Sequence, residues 1–82
     1  STGFSFVSDA KHIGELDVGE TAVLRDMNLP ESAAERLMEL GLLPGASIRL
    51  VRRAPLGCPI EFEVGGARLA LRGADAANIF IQ

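Results

Sequence analysis

The chain has 82 residues, of which 48% are hydrophobic and 23% charged, with a net charge of −3. That leaves room for one domain with one modest core, because a chain of this size buries only about 60–65% of the surface it exposes when unfolded. The mixture excludes a disordered or fibrous protein, and the acidic balance argues against a partner read through its phosphates, so nucleic acid is not expected.

Cys58 is the only cysteine and cannot form an internal disulfide. No C-x-x-C or histidine-rich spacing points to structural zinc, and a reducing, cytoplasmic home is expected. No apolar run approaches the roughly 18–20 residues of a membrane helix, and the N-terminus lacks the pattern of a signal peptide. Direct membrane insertion is therefore not expected.

In chain order, Phe4-Ser5-Phe6-Val7 begins an alternating pattern, and Ser8-Asp9 is placed to cap a helical turn over 10–13. Leu16 to Glu20 reads as a turn, and Thr21 to Met27 as a half-buried strand. From Pro30 the period changes. Ala33, Leu37 and Leu40 fall on one helical face, with Glu31, Glu35 and Arg36 able to stay wet. Pro30 suits a first helical turn, and Glu31 lies near the positive end of the macrodipole. Gly41 can take the left-handed conformation that ends a helix, bringing Leu42 to Leu37 as a Schellman motif requires.

Leu43-Pro44-Gly45-Ala46 has the proline and glycine of a type II turn. Ser47 to Ala54 follows as a strand whose alternation breaks at Val51-Arg52-Arg53, where a bulge would restore it. Ala54 to Pro59 is a loop, because two prolines bracketing a glycine suit neither a helix interior nor a central strand. Ile60 to Val64 alternates apolar and acidic residues, and Leu69 to Arg72 continues the pattern after Gly65-Gly66. A two-residue hairpin pairs Val64 with Ala67, Glu63 with Arg68, Phe62 with Leu69 and Ile60 with Leu71. Every apolar pair then lies on one face and a Glu63–Arg68 charge pair on the other. Residues 73–78 read as a helical turn and Ile79 to Ile81 as a last strand able to pair with the first. The sum is a mainly β protein of about five short strands with one inserted helix, a small bent barrel whose closure hides its edges.

Three stretches carry a family likeness. The run Arg36 to Ile48, then Ala54-Pro55-Leu56-Gly57-Cys58-Pro59-Ile60, then Leu69-Ala70-Leu71-Arg72 with Ala77 and Ile79, resembles the FeoA family. The likeness extends from about Leu16 to Ile81. It implies an SH3-like β-barrel in the cytoplasm, associated with ferrous iron uptake. The partner it implies is the cytosolic region of FeoB, the membrane ferrous iron transporter with a GTP-binding domain. The same barrel occurs on the family's pattern at the C-terminus of iron-responsive repressors, but nothing here resembles their DNA-binding part. A single domain over residues 1–82 is expected, with 1–15 an N-terminal extension outside the likeness.

Catalysis is not expected. His12 and Cys58 are the only histidine and cysteine and lie on different segments, whereas a nucleophile and its base need hydrogen-bond reach. No metal-ligand spacing occurs among His12, Cys58 and the carboxylates, and Met27 and Met38 read as packing. No cofactor is expected. A chain that binds Fe²⁺ or another divalent ion directly, and changes shape or oligomeric state with it, is the alternative. The glycines are accounted for by turns, so no phosphate loop is predicted.

A protein-binding surface remains. Arg52 and Arg53 run into the stiff loop carrying Pro55, Leu56 and Cys58, and Leu56 belongs to no apolar stripe. A preorganised loop loses little entropy on binding, and arginine is favoured at interfaces. The competing reading is that the arginines are solvated strand-end charges and Leu56 tucks into the barrel mouth. Leu43 is a further candidate for exposure, while Leu42 reads as core. A homodimer through an exposed edge stays open.

Overall fold

The computed structural model describes residues 11–82. Five strands, β1 (Thr21–Met27), β2 (Ser47–Arg53), β3 (Ile60–Val64), β4 (Ala67–Leu71) and β5 (Ile79–Ile81), form one antiparallel sheet in the order β4-β3-β2-β1-β5. Helix α1 (Glu31–Glu39) is inserted between β1 and β2, and the one-turn helix α2 (Gly73–Ala76) links β4 to β5. The mainly β, SH3-like arrangement expected from the sequence is the one observed.

The hairpin of β3 and β4 has the register that its glycines require. Gly65 and Gly66 both have positive φ, +54° and +87°, as a two-residue turn with the twist of its strands demands. Ile60, Phe62, Val64, Leu69 and Leu71 all face the core as a consequence. A register shift between Leu50 and Arg52 marks the bulge expected near Val51, and a second lies between Leu24 and Asp26. The two bends wrap the sheet around Phe62, Leu24, Ile48, Leu50 and Ile79, all wholly buried.

Helix α1 contributes one buried residue, Leu37. Its stop is a full Schellman motif. The Leu42 N–H donates to the Leu37 carbonyl at 3.0 Å and the Gly41 N–H to that of Met38 at 3.0 Å, with Gly41 at φ +104°. Leu42, brought inward by this turn, is wholly buried in the same cluster as Leu37. A Cβ at Gly41 would meet only Val64 Cγ1, at an ordinary 3.7 Å. The cost of Gly41→Ala is thus conformational, about 1–2 kcal/mol, and is expected as a lower urea midpoint with an unchanged slope. The following reversal is closed by the Ala46 N–H on the Leu43 carbonyl at 2.8 Å.

Four expectations are corrected. Pro30 precedes the helix as its N-cap, with ψ 148°, and Glu31 is the first helical residue. Glu63 lies opposite Arg68 as expected, but its carboxylate pairs with Arg49 on its other flank, because β3 sits between β2 and β4 in that row. The helical turn near the start is a 3₁₀ turn over Ile13–Glu15 capped by His12, whose Nδ1 accepts the Gly14 N–H at 3.1 Å while Glu15 Oε2 accepts the His12 N–H at 3.1 Å. The alternation at Phe4 to Val7 and the cap at Ser8-Asp9 lie outside the described residues.

The fourth correction concerns closure. β4 and β5 are the two ends of the sheet and do not pair, and the chain between them forms α2. β5 is nevertheless covered. The Ile81 N–H donates to the Lys11 carbonyl at 3.0 Å and His12 lies opposite Phe80, so the lead-in segment protects that edge while wholly buried Ile13 anchors it. The edge of β4 has no such cover among the described residues.

Candidate partner-binding surface

The loop between β2 and β3 is held from several sides. The Gly57 N–H closes a turn on the Ala54 carbonyl at 2.7 Å, and the Ala54 N–H donates to the Pro59 carbonyl at 3.0 Å across the loop's base. Gly57 takes φ +88°, and the Cys58–Pro59 peptide is cis. The Gly73 N–H at the start of α2 donates to Cys58 Sγ at 3.2 Å, tying the loop to the turn that follows β4. Cys58 is exposed.

Leu56 stands at the tip of this framework with 96% of its surface exposed. It does not enter the barrel mouth. The bonded loop holds an isobutyl group in water, an arrangement in which burial by a second molecule would gain about 1.5–3 kcal/mol. Pro55 is exposed beside it.

The two arginines stand at the foot of the loop with different duties. Arg52 pairs with Glu61 across the strands at 3.4 Å, more than half exposed, so the pair is worth little and the guanidinium is available. Arg53 donates from one nitrogen to the Gly14 carbonyl at 2.7 Å and the Leu16 carbonyl at 2.9 Å. It therefore clamps the lead-in segment to β2. Sequence reading missed this role, and no local pattern could have revealed it, because the partners are 39 and 37 residues away. Arg53→Ala is expected to cost about 1–3 kcal/mol and to speed amide exchange from Lys11 to Leu16. It also follows that Arg53→Glu would disturb the fold's first segment along with any binding, leaving Arg52 and Leu56 as the positions that report on a surface alone.

His12 and Cys58 have separate tasks, a cap and a loop tie. Among the described residues no three of histidine, cysteine, aspartate and glutamate come together as a metal site. No helix of the described residues is long and apolar enough to cross a membrane.

A small SH3-like module that presents a stiff apolar-tipped loop is the class these features define. The FeoA domain model matches residues 11–82, and the chain belongs to the FeoA family. It is 30% identical over 70 residues to the Fe(2+) transport protein A/Fe(2+) transporter FeoB fusion protein of Porphyromonas gingivalis, covering 85% of this chain and 8% of that one. The chain thus spans a small fraction of that relative. The FeoA protein of Chlorobium tepidum superposes with a TM-score of 0.84 at 35% identity, over 88% of this chain and 69% of that chain. Stenotrophomonas maltophilia FeoA, a procaryotic SH3 domain protein solved in complex with zinc, gives 0.76 at 31% identity over 89% and 91%. The family stands in ferrous iron transport, and in the P. gingivalis protein an FeoA part and FeoB share one chain.

Proposed function

We propose that this chain is a non-enzymatic accessory module in the cytoplasm that binds the cytosolic region of an FeoB-type ferrous iron transporter and modulates it. The observation that carries the reading is Leu56, 96% exposed on a hydrogen-bonded loop, with Pro55, Cys58 and the arginines Arg52 and Arg53 around it. The fusion of the two parts in the P. gingivalis relative supports it, since tethering raises effective concentration only usefully for parts that meet. Titrating the purified chain into the isolated cytosolic domain of FeoB, with and without guanine nucleotide, tests it. Saturable heat is expected, and its absence in both nucleotide states would overturn the reading.

The second reading is direct binding of a divalent ion. The zinc complex of the S. maltophilia relative favours it, while the described residues of this chain offer no group of three ligands. Anaerobic calorimetry with Fe²⁺ separates the two, because heat above dilution in the absence of any partner belongs to the second alone.

A further inference from the structure

The two ends of the sheet are treated differently. Lys11 and His12 cover β5, whereas β4 ends the sheet with no strand beside it among the described residues. In the β3–β4 hairpin the residues flanking a two-residue turn exchange both hydrogen bonds, and the pairs alternate from there. Ala67, Leu69 and Leu71 therefore bond inward to β3, and the backbone N–H and C=O groups of Arg68 and Ala70 point away from it. No hydrogen bond among the described residues takes them.

That edge opens into a groove of about 510 Å³ between β4 and α1. Leu29, Ala33, Leu37 and Leu40 line it from the helix side, and Arg36 and Arg68 add charge. Neither arginine has an ion-pair partner among the described residues, since Glu63 is taken by Arg49. Leu40 remains 43% exposed. A row of free backbone groups beside an apolar wall is a place where an extended peptide adds as a further strand.

We propose that the outer edge of β4 binds an extended segment of a partner protein in which apolar and acidic residues alternate, as a sixth strand lying between β4 and α1. The alternation follows from the strand's two faces. Leu69 and Leu71 are buried while Arg68 and Ala70 are exposed, so an added strand sets its apolar side chains beside the leucines and its carboxylates beside Arg68 and Arg72. The inner edge of β4 already accepts such a strand, Ile60-Glu61-Phe62-Glu63-Val64, with Glu63 opposite Arg68 and Phe62 opposite Leu69. Asp75 lines the groove at its α2 end, so the residue meeting it is uncharged or basic. A second copy of this chain is the poorer occupant, because two β4 edges would bring Arg68 and Arg72 against their own kind. This surface stands independently of the Arg52 to Cys58 loop.

The test is amide-resolved NMR on the isotope-labelled full chain, titrated with the capped peptide Ile-Glu-Phe-Glu-Val and with a control in which both glutamates are lysine. The acidic peptide is expected to shift the Arg68 and Ala70 amides and slow their hydrogen exchange, and the lysine peptide to leave them unmoved. Arg68→Glu is expected to weaken the acidic peptide about fivefold. Ala70→Pro removes an outward N–H at an edge position where proline is tolerated, and abolishes binding. Equal response to both peptides, or shifts that avoid Arg68 and Ala70, would overturn the proposal. So would exchange at those amides that slows with protein concentration alone, which assigns the edge to a second copy.

Discussion

Phe62→Ala is expected to remove about 3–5 kcal/mol of stability. Phe62 is the largest of the wholly buried side chains among the described residues. Its neighbours are set by cross-strand pairing, to Leu50 on β2 and Leu69 on β4, so collapse into the vacated space would break two ladders and the cavity stays largely open. A domain of this length holds on the order of 4–12 kcal/mol in total. The variant should therefore lose a large share of its stability, with a urea midpoint far below that of the parent. A loss below about 1 kcal/mol would mean that the sheet relaxes around the hole, contrary to the packing behaviour of such cores.

Leu56→Asp is expected to act in the opposite sense. With 96% of its surface in water, Leu56 has almost nothing to lose in the free chain, and surface changes of this kind usually fall within about 0.5 kcal/mol. Affinity for the FeoB cytosolic domain should nevertheless drop by about tenfold or more, because an apolar anchor is replaced by a charge that the interface must desolvate. Calorimetric titration beside a thermal melt reads both quantities on the same sample. Unchanged affinity in the folded variant would remove the loop as the binding surface. Comparing Leu56→Asp with Arg68→Glu also separates the two proposed surfaces, since each should leave the ligand of the other unaffected.

Much of the architecture was legible because its signals are local. The register of the β3–β4 hairpin follows from Gly65-Gly66 and from alternation that a one-residue slip would invert. The helix stop at Gly41 and the turn at Gly45 depend on backbone angles that few residues other than glycine adopt. The bulge near Val51 showed as a break in an otherwise regular period. The FeoA likeness was legible for the same reason, since its motifs are largely these turns and stops in a set order. Less legible was the candidate site. The residues Pro55, Leu56 and Cys58 announced a loop, but their composition left Leu56 equally suited to the barrel mouth and to solvent.

From sequence alone came the strands, the helix and its terminators, the hairpin register and the family, all properties of short stretches whose sterics and periodicity act within a few residues. Tertiary structure alone decided that Leu56 faces water, that Arg53 clamps a segment 37–39 residues earlier, and that Glu63 takes Arg49 and leaves Arg68 without an ion-pair partner among the described residues. It also decided that, among the described residues, β4 is an open edge while β5 is covered. These are choices among partners distant in the chain, and they depend on where the bent sheet places each side chain rather than on any residue's own preference.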